Sequence, residues 1–178
     1  MELKGIRAAV LVEQQYQEME VWYPLYRLRE AGCKVTLVGP EAGKEYPSKL
    51  GYPAKAEKGA NEVKANDFDI LVIPGGFAPD FLRRSEAILR FVSEMAEQGK
   101  VVAAICHGPW VLCSAGGMLK GRHATSFFAI KDDVVNAGAK WSDAEVVVDN
   151  NLVTSRKPED LPAFCRESLK VLAGVLVS

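Results

Sequence analysis

A cysteine and a histidine stand side by side where a predicted buried strand gives way to a helix. The apolar run Val101–Ile105 (VVAAI) ends directly before Cys106, and His107, Gly108 and Pro109 follow at once. Small residues lie two positions before and two positions after the cysteine, which is the pattern of a nucleophile elbow with cysteine in place of serine. The N–H groups at the start of the following helix are expected to favour a thiolate. The pattern therefore indicates a nucleophile rather than a buried structural thiol.

The role of the neighbouring His107 is open on the residues alone. Side chains of consecutive residues do not naturally face each other, and a general base needs both hydrogen-bond reach and an orienting partner. The imidazole could be the base for Cys106, or the residue could contribute only its backbone N–H to a site for a developing oxyanion. The second histidine, His123 in GRHATS, is expected at the surface.

A pair of glycines should lie at the same edge of the sheet as the thiol. Gly75 and Gly76 follow the apolar run DILVI, which is predicted to neighbour the Cys106 strand. Glycine lets backbone N–H groups approach a substrate oxygen closely, as an oxyanion site requires. Two glycines are also typical of an ordinary tight turn. The pair indicates an oxyanion site only because it lies at the same edge of the sheet as the thiol.

A carboxyl group is expected near the thiol at the start of the first helix. Glu20 follows the carboxyl end of a predicted strand, although an acid at a helix start is often only complementary to the helix dipole. Buried and protonated, this group would donate a hydrogen bond that stabilises the thiolate. Glu13 and Glu18 are alternatives for the same role on the residues alone.

Alternating strands and helices would position these loops. The predicted strands are Ile6–Glu13, Lys34–Val38, Asp69–Ile73, Val101–Ile105, a short one near Ala124–Phe127 and a hairpin over Glu145–Ser155. The predicted helices are Glu20–Ala31, Glu86–Gln98, Pro109–Ala115, Lys131–Ala137 and Pro158–Leu176, with a loop and short strands over Tyr46–Gly59. Because the strands are continuous apolar runs separated by helices, we expect an α/β fold with a mostly parallel sheet and helices on both faces.

Composition narrows the class of protein. The 178 residues suffice for one domain with a sizeable core, and 1–178 is predicted as that domain. A net charge of −1 without a basic stripe argues against nucleic acid or a membrane surface as partner, and the apolar run near the N-terminus is too short for a signal peptide or a spanning helix. The cytoplasm is therefore the expected location, where the reducing conditions disfavour disulfides between the four cysteines, none of which forms a C-x-x-C pair. With only two histidines, a His-rich zinc site is not expected. No metal and no cofactor is predicted.

Several motifs together resemble the PfpI intracellular cysteine protease family. They are AICHGP, PGGFAPD, EMEVWYP, TSFFAIKDD and WSDAEVVVDNNLVTSR, and they run over nearly the whole chain. That family belongs to the superfamily of the parkinsonism-associated deglycase, which has a class I glutamine amidotransferase-like fold. The resemblance implies a flavodoxin-like three-layer sandwich with a nucleophile elbow.

The resemblance also implies roles for individual residues. Cys106 matches the elbow nucleophile, and Glu20, the second acid of E-x-E, matches the carboxyl group that hydrogen-bonds the thiol. Gly75 and Gly76 match the backbone donors near the thiol, and Lys49 matches a lysine at the edge of the pocket. The thiol centre of the family is thus present in this sequence.

The same resemblance makes assembly part of the site. His107 matches the triad histidine of the protease branch, whose acidic partner comes from a neighbouring subunit and matches Asp80. The implied assemblies are homodimers, and hexamers built from dimers. Three positions depart from the family pattern: Asp80 is one methylene shorter than the usual glutamate, Gln17 replaces an acid, and Phe127 at the pocket replaces a tyrosine and lacks its hydroxyl.

The function implied by the resemblance is that of a cysteine-dependent hydrolase, or of a glyoxalase or deglycase in stress protection. In each case Cys106 would attack the carbonyl carbon of a small carbonyl compound or a peptide. The alternative is a redox-sensing or chaperone-like stress protein without turnover, in which Cys106 is oxidised. A glutamine amidotransferase is excluded, because that chemistry needs a downstream His-x-Glu pair and no histidine follows His123.

Overall fold

The computed structural model describes residues 3–175, and a seven-stranded sheet forms its centre. The strands in chain order are β1 (Arg7–Leu11), β2 (Lys34–Gly39), β3 (Glu45–Pro47), β4 (Pro53–Lys55), β5 (Lys58–Gly59), β6 (Ile70–Ile73), β7 (Val101–Ile105), β8 (His123–Ala124), β9 (Lys140–Trp141), β10 (Val146–Asp149) and β11 (Leu152–Ser155). The central sheet has the order β10-β11-β7-β6-β1-β2-β5, while β3 pairs with β4 and β8 pairs with β9. Neighbours in the central sheet are parallel except in the β10–β11 hairpin, so the mostly parallel sheet is confirmed.

Helices cover both faces of the central sheet. They are α1 (Glu18–Glu30), α2 (Ala78–Leu82), α3 (Glu86–Glu97), α4 (Pro109–Ser114), α5 (Lys131–Asn136) and α6 (Leu161–Val175). Helices α1 and α6 pack on each other and on the sheet, whereas α3 packs on β6, β7 and α4. Strands β6 and β7 are consequently buried along their whole length, which explains their unbroken apolar sequences. The architecture is the flavodoxin-like three-layer sandwich.

A few elements differ from the predicted boundaries. Helix α1 begins two residues earlier than predicted, at Glu18, because the side chain of Gln17 caps it. The strand predicted at Ala124–Phe127 is only His123–Ala124, because the chain then turns to hydrogen-bond the residue that follows β7. Helix α2 leaves no signal in the sequence, since five residues are too few for a helical apolar period. Leu176, the predicted end of the last helix, lies outside the described residues.

The strand order determines where a ligand site can form. Strand β2 lies on one side of β1 and β6 lies on the other, so the direction of winding reverses between them. The carboxyl ends of β1, β6 and β7 are therefore neighbours at the point where ligands bind in open parallel sheets. The loops that contain the predicted site residues leave the sheet at this edge.

Three further features of the described chain concern its cysteines, metal binding and membrane spans. All four cysteines are free thiols. Within residues 3–175 there is no group of three or more His, Cys, Asp or Glu side chains arranged to hold a metal ion. Over the same residues, no helix has the length and apolar character needed to cross a membrane.

Candidate active site

The backbone at Cys106 has the strained geometry of a nucleophile elbow. Its φ is +63°, a value that residues other than glycine adopt rarely and at a cost. Two hydrogen bonds hold it: the Cys106 N–H donates to the Ser155 carbonyl (3.0 Å), and the Phe127 N–H donates to the Cys106 carbonyl (2.9 Å). A Cβ atom on Gly108 would lie only 2.5 Å from the carbonyl oxygen of Ile73. The elbow inferred from the sequence, with its need for small neighbours, is confirmed.

The loops that follow β1 and β6 are joined by backbone hydrogen bonds. The Gln17 N–H donates to the Gly75 carbonyl (3.3 Å), and the Phe77 N–H donates to the Gln15 carbonyl (2.9 Å). Gly76 has a φ of +75°, and a Cβ atom there would lie 2.5 Å from the Gln15 carbonyl oxygen. Glycine is required at this crossing because no side chain fits between the two loops. The pairing brings the start of α1 to the end of β6.

Glu20 lies at the base of the site and is fully buried. Its backbone N–H donates to the side-chain oxygen of Gln17 (3.0 Å), and its Oε2 accepts a hydrogen bond from the Gly75 N–H (2.7 Å). Its Oε1 has no hydrogen-bond partner among residues 3–175. Burial raises the pKa of this carboxyl to about 8, so it holds a proton at neutral pH. That proton belongs on Oε1, where it can be donated to the thiol with which the carboxyl interacts.

Gly75 allows the carboxyl and the thiol to meet. A Cβ atom on Gly75 would lie 2.6 Å from Glu20 Oε2 and 2.7 Å from Cys106 Cβ, which are distances that no packed structure tolerates. The N–H of Gly75 donates to Glu20. In the resting site it is therefore not free to donate to a substrate oxygen, which is the role predicted for it. The backbone N–H groups that interact with the sulfur are those of Gly76 and His107.

Burial favours the thiol form of Cys106 over the thiolate in the resting site. Burial, followed by the negative charge of Glu20, raises its pKa to about 12, while the N–H groups of Gly76 and His107 lower it. The expectation that a helix start favours the thiolate is thus outweighed by burial, because α4 is a short helix and only 7% of the residue is exposed. A protonated Glu20 no longer repels the sulfur, and its O–H adds a third donor once the thiolate forms.

The imidazole of His107 faces the thiol, although the two residues are consecutive. Its Nδ1 lies 3.3 Å from Cys106 Sγ, because the positive φ at Cys106 turns the chain back on itself. Burial, followed by the positive charge of Lys49, lowers the pKa of the imidazole. The ring is therefore neutral at pH 7, and with its proton on Nε2 it can accept the thiol proton at Nδ1.

Aromatic rings surround the imidazole. The rings of Phe127 and Trp110 both contact it, at centroid distances of 4.9 Å and 5.9 Å. Phe127 was predicted at the pocket by resemblance, whereas Trp110 has no role in the sequence analysis. The spacing of His107 and Trp110, three residues apart around the first turn of α4, was the available signal.

Two other predicted residues lie farther from the sulfur. Lys49 is exposed at the edge of the site, where its charge acts on Glu20 and His107. Asp80 lies on α2 and forms an ion pair with Arg84. Within the described chain the structure does not bring Asp80 to His107, so the cross-subunit contact implied by the resemblance stays a prediction.

The alternatives for the carboxyl near the thiol have other partners. Glu13 accepts a hydrogen bond from the Gln14 N–H (2.7 Å), and Glu18 accepts one from the Leu50 N–H (2.7 Å). Neither interacts with the sulfur, which leaves Glu20 as the carboxyl of the site. His123 is exposed, as expected.

Comparison with known proteins shows a family match over most of the chain. The family described as DJ-1/PfpI matches residues 6–171. The chain is 47% identical over 166 residues to YraA of Bacillus subtilis, whose name includes the words "cysteine protease", and the match covers 93% of this chain and 98% of that protein. It is 46% identical over 167 residues to Deglycase TK1284 of Thermococcus kodakarensis, with 94% and 99% covered.

A solved structure extends the likeness to three dimensions. It is a two-domain protein of Anabaena variabilis with DJ-1/ThiJ/PfpI-like and ferritin-like domains, and it matches with a TM-score of 0.92 at 44% identity. The match covers 94% of this chain but 48% of the other. The chain thus spans about half the length of that two-domain protein.

Proposed function

The chain belongs to the DJ-1/PfpI family, and from this premise we propose that it is a cysteine-dependent enzyme that acts on a reactive carbonyl group. Cys106 is the nucleophile. The observation that carries the proposal is the 3.3 Å contact between Cys106 Sγ and His107 Nδ1 at a strained elbow. A neutral imidazole at that distance can take the thiol proton as the sulfur attacks. The deglycase and cysteine protease activities in the names of its relatives both need a nucleophile of this kind.

In the proposed first step, the sulfur forms a bond to the carbonyl carbon. The π electron pair of the carbonyl moves to its oxygen, and the thiol proton passes to His107 Nδ1. The N–H groups of Gly76 and His107, which interact with the sulfur in the resting site, are placed to stabilise the negative oxygen. The imidazolium then returns the proton to the oxygen of an aldehyde adduct, or to the leaving nitrogen of a peptide.

The depth of the thiol favours a small substrate. Only 7% of Cys106 is exposed, so a slim molecule such as a two- or three-carbon aldehyde reaches the sulfur more easily than a folded protein does. We therefore place glyoxalase or deglycase action ahead of peptide hydrolysis. A stress-protective role would follow from removal of such aldehydes or their adducts.

A redox sensor without turnover is the second candidate, and it fits the site less well. Sensor cysteines react with peroxide as accessible thiolates. The thiol of Cys106 is instead poorly accessible, and its burial raises its pKa. A base in contact with the thiol suits a nucleophile that is deprotonated only when a substrate is bound.

Assembly and location are also proposed. The side chain of Asp80 is 41% exposed, so a second copy could present it to His107 in a homodimer or a hexamer. The cytoplasm is the proposed location, supported by the four free thiols. Analytical ultracentrifugation of the purified chain would give the size of the assembly.

Turnover by matched cysteine variants tests the proposed function. Loss of methylglyoxal and cleavage of a fluorogenic peptide are measured for wild type, Cys106→Ser and Cys113→Ser. Cys113 is a half-buried thiol in the next helix and serves as the control. We expect Cys106→Ser to lose at least about a thousandfold in turnover, as nucleophile variants do, and Cys113→Ser to keep wild-type activity. Equal turnover by wild type and Cys106→Ser would overturn the proposal.

A further inference from the structure

The imidazole of His107 is held by aromatic rings. The Phe127 ring stacks on it with centroids 4.9 Å apart and an angle of 26° between the planes, and the Trp110 ring meets it at 5.9 Å and 60°. Phe128 continues the stack beyond Phe127 at 4.7 Å, and the guanidinium of Arg83 lies 5.5 Å from the Trp110 ring centroid. Ring packing therefore restricts the plane of the imidazole.

Hydrogen bonds do not explain this orientation. Over residues 3–175, the sulfur of Cys106 is the hydrogen-bonding partner of the imidazole, and no carboxylate pairs with the ring. A general base needs a second contact that keeps its accepting nitrogen on the line of proton transfer. In the described chain, the aromatic rings packed on the imidazole provide that contact.

The Phe127 ring is tied to the elbow by its own backbone. The Phe127 N–H donates to the Cys106 carbonyl (2.9 Å), and the Phe127 carbonyl accepts a hydrogen bond from the Ser126 hydroxyl (3.0 Å). These bonds hold the Phe127 backbone against the elbow. Phe127 thus contacts the elbow through its backbone and the imidazole through its ring.

We propose that Phe127 is a positioning residue, whose ring orients the imidazole of His107 so that Nδ1 faces the Cys106 sulfur. The inference rests on the proposed function, since it assigns a residue to the same reaction. It gives a role to a position that the resemblance places only at the pocket. The ring also excludes water from the imidazole, while Lys49 is the charged group that acts on it.

Kinetics of three variants provide the first test. Phe127→Leu removes the ring, Phe127→Tyr keeps it, and Phe128→Leu removes the next ring of the stack, which is 73% exposed. We expect Phe127→Leu to lower kcat about tenfold with KM within about twofold, because small misplacement of a catalytic group costs rate rather than binding. Phe127→Tyr and Phe128→Leu should keep the wild-type kcat. If Phe127→Leu fails to fold, Phe127→Met takes its place.

Titration and coupling measurements separate positioning from a structural effect. The chain has two histidines, so the ring signals of His107 can be assigned and followed by NMR against pH. We expect Phe127→Leu to raise the pKa of His107 toward its ordinary value of 6.5. In a His107→Ala background, the same substitution should no longer slow alkylation of Cys106 by iodoacetamide.

Two results would overturn the inference. One is an unchanged kcat together with an unchanged His107 titration in Phe127→Leu. The other is an equal slowing of Cys106 alkylation with and without the imidazole. Both the titration and the alkylation are measured without a substrate, so they decide the role of Phe127 even if wild type turns over neither methylglyoxal nor a peptide.

Discussion

The surroundings of the sulfur and of the imidazole are built on different principles. Hydrogen-bonding groups converge on the sulfur: the Glu20 carboxyl, which is held by the Gly75 N–H, and the N–H groups of Gly76 and His107. Apolar rings pack on the imidazole, whose only polar contact in the described chain is the sulfur itself. One part of the site controls charge and the other controls orientation. The sulfur pocket should therefore respond to changes of charge and volume, and the imidazole to changes of shape.

Among changes to the surroundings of the two reacting groups, the largest effect is expected from filling the gap at Gly75. A methyl group in Gly75→Ala would lie 2.6 Å from Glu20 Oε2 and 2.7 Å from Cys106 Cβ, so the carboxyl and the thiol must separate. We expect turnover to fall by about a hundredfold or more, since a displacement of about 1 Å has that cost. Gly174→Ala, in open space on α6, is the control and should be silent. Wild-type turnover by Gly75→Ala would show that the carboxyl and thiol need not be in contact.

A smaller effect is expected from replacing the buried carboxyl by its amide. Glu20→Gln keeps an acceptor for the Gly75 N–H and a weaker donor for the sulfur, so turnover should fall about tenfold. In wild type, Cys106 alkylation should rise with pH and then flatten near pH 8, where Glu20 becomes charged and repels the thiolate. The variant should lack that flattening. Glu18→Gln, in the same turn of α1, is the control.

The free energy of unfolding should also depend on pH through Glu20, in a direction that the raised pKa fixes. Folding raises the pKa of Glu20 from 4.5 to about 8, so the folded chain keeps a proton that the unfolded chain loses as the pH rises between these values. The free energy of unfolding of wild type should therefore fall over this range. At pH 8, Glu20→Gln should be more stable than wild type by about 4 kcal/mol in urea unfolding. Equal stability of the two proteins at pH 8 would contradict the raised pKa of Glu20.

The smallest effect is expected at Asp80. Its ion pair with Arg84 is exposed, and the imidazole is already packed against rings of its own chain. Asp80→Ala should lower kcat about threefold through loss of the acid from a second copy, while the rate of Cys106 alkylation stays unchanged. A fall as large as that expected for Phe127→Leu would mean that the acid, and not the ring, orients the base. No fall at all would remove Asp80 from the site.

The elbow could be predicted from the sequence because its signals are local. A buried apolar strand, small residues two positions before and after Cys106 and a proline at the next helix all lie within ten residues. The parallel sheet followed from the unbroken apolar runs of β6 and β7 for the same reason. The family resemblance distinguishes Glu20 from Glu13 and Glu18, which the residues alone do not.

The rest of the site depends on distances that no local pattern encodes. The imidazole faces the sulfur because φ at Cys106 is positive, and it is stacked by Phe127, which lies twenty residues along the chain. The Gly75 N–H donates to Glu20 because that side chain is buried deeply enough to reach it. The pKa of Cys106 is raised where a lowered one was expected, because the thiol is buried. No local sequence pattern encodes that burial.

The most direct test of the central claim is a titration of activity against modification of the thiol. Cys106 is alkylated in steps with iodoacetamide, the modified fraction is counted by mass spectrometry of its peptide, and loss of methylglyoxal is measured on the same samples. A nucleophilic Cys106 predicts that turnover falls in proportion to the modified fraction and reaches zero when modification is complete. Turnover that persists with Cys106 fully alkylated would contradict the claim.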